Sequence, residues 1–119
     1  MKILITGANG FIGTELVKYL LKNTEHQLTL ITRKQNNLDS INKKYIYLDL
    51  MNNIDWKLIL KDIDVVIHLA ASQHKNNKFD RDIYRKINFE VTKKLSESII
   101  NSNVKKFIHL ITIKVIGEK

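Results

Sequence analysis

The 119-residue chain contains no cysteine, which excludes disulfides, thiolate metal sites and a cysteine nucleophile. It contains no proline either, beside an abundance of Lys, Asn and Ile, a pattern of compositional bias more than of function. No apolar run approaches the length that crosses a bilayer. Met1 leads directly into a strand-like stretch with no room for a signal peptide, so a cytoplasmic protein without a membrane partner is expected. Acidic residues are few: 12 Asp and Glu stand against 20 Lys and Arg, for a net charge of +8. Such a chain could hold nucleic acid by phosphate attraction. Its lysines (Lys18, Lys22, Lys34, Lys43, Lys44, Lys57, Lys61, Lys93, Lys94) are scattered instead of gathered into an arm, so they read as a solvated surface and no nucleic-acid partner is expected.

Glycine is scarce too, with four in the chain, and three of them fall in one short stretch. Lys2 to Gly13 read KILITGANGFIG: a β-type run, then Gly7, Gly10 and Gly13 in GxxGxxG spacing, then an amphipathic helix expected over Thr14–Leu21. Strand, glycine turn and helix in this order form the context of a dinucleotide-binding loop. Gly7 would permit the tight exit from the strand, Gly10 a close approach to a pyrophosphate, and Gly13 a helix lying close on the sheet. The free N–H groups and positive dipole end of that helix would face the phosphates.

Gln27–Thr32 alternates and is rich in β-branched and apolar residues, and so reads as a second strand. Leu38 and Ile41 suggest one short helical turn, Tyr45–Leu48 a third strand, and Ile54–Lys61 a short helix containing Trp56, whose expected task is packing. Asp64–Ala71 is a near-continuous apolar run, as in a strand buried on both faces of a parallel sheet. From about Asp80 to Ser102 comes the longest helix, with Ile83, Ile87, Val91, Leu95 and Ile99 spaced by four. Lys106–Ile111 is a fifth strand. Alternating strands and helices imply a single α/β domain with a parallel sheet, and right-handed crossovers give the order 3-2-1-4-5. His68 and His109 lie inside apolar strands and read as satisfied core histidines; no spacing suggests a metal site.

These residues together resemble the amino-terminal half of an extended short-chain dehydrogenase/reductase, the superfamily of nucleotide-sugar epimerases, dehydratases and reductases. TGANGFIG at 6–13 is similar to its cofactor loop, Tyr47-Leu48-Asp49-Leu50 to its adenine-recognition segment, and Asp64–Ala71 to the strand under the cofactor. Tyr84-(x)3-Asn88-(x)3-Thr92-(x)2-Leu95 is similar to its long helix. Ile113–Glu118 resembles enzymes that reduce or epimerise UDP-4-keto-6-deoxy-hexosamines for surface polysaccharide.

The resemblance implies a Rossmann-type domain over 1–119, cut after its fifth strand, that holds NADP or NAD. Gly7, Gly10, Phe11, Ile12 and Gly13 would form the pyrophosphate loop. Asp49 would accept the adenine amino group, with Leu50 on the ring. Ala70 and Ala71 would lie under the nicotinamide ribose, Asn88 would brace the fourth and fifth strands, and Thr112 would polarise the substrate oxygen. Ser72, Gln73 and His74 fall where relatives touch substrate. At the end of the second strand stand Thr32 and Arg33, where NAD-preferring members carry an acid; a guanidinium matches a 2′-phosphate, which favours NADP.

Ile111 departs from the family's small hydroxyl residue. None of Tyr19, Tyr45, Tyr47 and Tyr84 has a lysine four residues on, so the family's acid/base Tyr-x-x-x-Lys is absent from these 119 residues. The expected whole protein is a nucleotide-sugar enzyme of which this part alone is inactive. A non-catalytic NADP-sensing module and a non-functional fragment are the alternatives. An apolar edge at Phe107–Ile111 is expected to pair with a second copy.

Overall fold

A computed structural model describes residues 1–33, 39–69 and 78–110. Its elements are β1 (Lys2–Thr6), α1 (Phe11–Asn23), β2 (Gln27–Thr32), β3 (Lys43–Tyr47), α2 (Trp56–Ile59), β4 (Val65–His68), α3 (Lys78–Ile100) and β5 (Lys106–His109). The five strands make one sheet in the order β3-β2-β1-β4-β5, as the crossover rule predicts, and every pairing is parallel.

Period-2 alternation sends β1 side chains to two separate cores. Ile3 and Ile5 join Ala8, Val17, Leu28, Leu30 and Val65, the layer covered by α1. Leu4 joins Ile31, Trp56, Leu60, Ile63, Val66 and Leu95, the layer covered by α2 and α3. Trp56 is therefore a packing residue, as expected. The stripe on α3 divides by position: Leu95 is fully buried, and Ile99 packs half-buried against the second core.

Three expectations are corrected. The first helix begins at Phe11, three residues before Thr14, so Gly13 lies inside its first turn. Ile41 belongs to no helical turn: it sits 96% exposed in a tight turn closed by an antiparallel bridge between Ser40 and Lys43. Backbone bonds between those two residues, Ser40 N to Lys43 O at 2.8 Å and Lys43 N to Ser40 O at 3.2 Å, fix that turn. Leu38 lies outside the described residues. His109 is exposed, because β5 is an edge strand whose Phe107 alone reaches the second core.

Candidate functional site

The end of β1 shows what each of the three glycines does. Gly7 takes φ 72°, the left-handed region that a side chain disfavours. The Gly10 amide returns to the Gly7 carbonyl at 3.1 Å, closing the turn, and Gly10 then caps α1 with extended backbone. A Cβ on Gly13 would lie 2.1 Å from Gly7 O and 2.9 Å from Ala8 Cα. Gly13 thus lets the first turn of the helix press on the loop itself, which is closer than the sheet contact expected. The first intrahelical bond runs from Thr14 N to Gly10 O at 2.9 Å. The amides of Phe11, Ile12 and Gly13 precede it, and Gly10 offers no side chain to cap them. Beside them Phe11 is 89% exposed. A helix end with uncapped amides and positive dipole suits an anion.

The ends of β2 and β3 meet this loop. Thr32 is buried, and its hydroxyl accepts from Asn9 Nδ2, which pins the glycine turn to β2. The sequence carries no sign of this role for Asn9, because no periodicity marks a contact between a turn and a strand 23 residues later. Arg33 follows, exposed. Leu48 N donates to Thr32 O at 3.1 Å, bringing Asp49 alongside. Asp49 Oδ1 accepts the Met51 amide at 2.9 Å. Half-buried Leu50 lines a cleft of about 590 Å³ with Met51, Ile54, Trp56, Ile87 and Val91. Asn88 is half-buried on α3.

Beneath the strand ends lies His68, 1% exposed. Its Nδ1 is 2.6 Å from Thr6 Oγ1 and its Nε2 is 3.1 Å from Thr92 Oγ1. This is the satisfied core histidine that the apolar strand predicts. Burial, and secondarily the neighbouring His109, push its pKa down to about 4, so the ring is neutral at physiological pH. Ala70, Ala71, Ser72, Gln73, His74, Ile111 and Thr112 lie outside the described residues. Among the described residues no group of three His, Cys, Asp or Glu could hold a metal, and no helix is long and apolar enough to cross a membrane.

Residues 3–119 match the family described as NAD dependent epimerase/dehydratase. UDP-glucose 4-epimerase of Vibrio cholerae is 35% identical over 98% of this chain and 36% of its own length. dTDP-D-glucose 4,6-dehydratase of Dictyostelium discoideum is 36% identical over 98% of this chain and 30% of its own. The chain therefore spans about a third of the length of these curated relatives. The crystal structure of UDP-glucuronic acid 4-epimerase from Bacillus cereus in complex with NAD superposes with a TM-score of 0.81 at 35% identity, over all of this chain and 42% of that one.

Proposed function

The chain belongs to the NAD dependent epimerase/dehydratase family, and on that premise we propose that its residues hold the dinucleotide for a nucleotide-sugar epimerase, dehydratase or reductase. The observation that carries this reading is the Gly7–Gly13 loop. A left-handed Gly7, an uncapped helix end at Gly10 and a backbone contact at Gly13 that no side chain could enter make a cradle that fits a pyrophosphate.

In this reading the amides of Phe11, Ile12 and Gly13 bind the phosphates, with Asn9 and Thr32 keeping the loop in place. Asp49 Oδ2 accepts the adenine amino group, Leu50 packs on the base, and Asn88 braces the strands beside the site. Ala70 and Ala71 leave room for the nicotinamide ribose. Thr112 holds and polarises the sugar oxygen. The bound nicotinamide supplies hydride transfer with a carbon of the sugar. Arg33, exposed at the end of β2, adds a partner for a 2′-phosphate and favours NADP; the Bacillus cereus relative is in complex with NAD. The nucleotide sugar is the substrate of the whole protein, and a second copy pairs at the β5 edge.

Thermal unfolding with added cofactor tests this. A ligand that binds only the folded state raises the melting temperature as its concentration passes its Kd. The expected result is a rise with NADP and NAD but none with an equal concentration of UDP alone. Unchanged melting at millimolar NADP and NAD contradicts the reading.

A further inference from the structure

We propose, building on the reading of Gly7–Gly13 as the dinucleotide loop, that His68 is a positioning residue for that loop: an imidazole held in its Nε2–H form that ties the strand end before Gly7 to α3 beside Asn88.

Thr6, His68 and His109 stand in register across β1, β4 and β5. Thr6 Oγ1 accepts the Leu69 amide at 3.1 Å. In this proposal the hydroxyl, which keeps a second lone pair, gives its own proton to His68 Nδ1, 2.6 Å away. Nδ1 is then an acceptor, the ring proton resides on Nε2, and Nε2–H donates to Thr92 Oγ1 at 3.1 Å. One buried ring thereby joins β1, β4 and α3.

The three contacts fall at informative places. Thr6 immediately precedes Gly7, Leu69 precedes Ala70, and Thr92 lies one helical turn after Asn88. Gly7 and Ala70 thus directly follow residues that this network holds, and Asn88 lies one turn away on the same helix.

Among the described residues, the following groups face the ring. β1 presents Thr6 and α3 presents Thr92. β5 presents Phe107 and His109, with ring centres 6.5 Å and 4.9 Å away. His109 is the titratable neighbour among them, and it adds to the lowering of the His68 pKa that burial causes. A proton on Nδ1 would abolish the bond from Thr6, since both ring nitrogens would then donate. His68 touches neither cofactor nor substrate in this account; it acts through Thr6 and Thr92.

The test uses the whole chain uniformly labelled with ¹⁵N, followed by titration with NAD. The ring spectrum of His68 should show Nδ1 unprotonated and Nε2 protonated at neutral pH. His68→Leu keeps the bulk but loses both bonds, and should weaken NAD binding about tenfold while moving the Gly7 and Gly10 amide resonances. His68→Asn restores an acceptor near the Nδ1 position and should recover part of that loss, a rescue that mere filling of space does not give. If His68→Leu fails to fold, Thr92→Val removes the Nε2 bond alone and should weaken binding about threefold. A proton found on Nδ1, or wild-type affinity and unmoved glycine amides in the variants, overturns the proposal. If the wild-type chain binds no NAD while tautomer and amide shifts are as expected, the functional reading fails and the positioning role stands.

Discussion

A Cβ placed on Gly13 would stand 2.1 Å from the carbonyl oxygen of Gly7, with the Ala8 backbone at 2.9 and 3.0 Å behind it. Nothing flexible is there to yield. Gly10 is different: its added Cβ meets Gly7 O at 3.3 Å, and its φ of −74° suits any L-residue. Gly13→Ala should therefore cost about 3 kcal/mol of stability, and Gly10→Ala about 1 kcal/mol or less. Urea unfolding of the two variants checks this; equal losses would contradict the geometry.

His68 sets a pH dependence whose sign follows from its depressed pKa. Its native pKa is about 4, against an ordinary value near 6.5 in the unfolded chain. Between those values the unfolded state binds the extra proton, so stability is complete above the upper value and declines as pH falls toward the lower. The slope is at most about 1.4 kcal/mol per pH unit from this one group. Asp64 is held below 3.8, mainly by the Lys2 amide on its carboxylate, so its stabilising effect is lost only at still lower pH. Urea midpoints at pH 7 and pH 5 should differ in the wild type and differ much less in His68→Leu.

Arg33 is the test of cofactor choice. Losing one charge-assisted contact to a 2′-phosphate should weaken NADP binding about tenfold and leave NAD affinity unchanged. Parallel titrations of Arg33→Ala measure both. Equal loss for the two dinucleotides would place Arg33 beside the shared part of the ligand instead.

At the β5 edge, Ile108 and Leu110 are both exposed. An edge strand with unpaired backbone and apolar side chains favours pairing with another copy. Light scattering should find a dimer or larger species, and Ile108→Lys should shift it toward monomer. A clean wild-type monomer at high concentration contradicts the pairing.

Much of this molecule is legible in its sequence, for identifiable reasons. β1, β2 and the order of the sheet follow from runs of β-branched residues and the handedness of crossovers. The Gly7–Gly13 loop follows from glycines required at fixed spacing. The helix start is misplaced because a glycine at position 13 reads as turn, whereas there it is a helical residue pressed on backbone. His109 reads as core because its neighbours are apolar, while burial depends on whether another element covers the edge. The Asn9–Thr32 and Thr6–His68–Thr92 bonds join residues 23 to 62 positions apart, and no local pattern announces them.

The central claim, that this chain cradles a dinucleotide at the Gly10 end of α1, is tested most directly by isothermal titration of the whole chain and of Gly10→Val with NADP and NAD. The account predicts saturable binding by the wild type, tighter for NADP, and its loss in a Gly10→Val protein that still unfolds cooperatively. Heat of binding that is absent in the wild type, or retained undiminished in the variant, would contradict it.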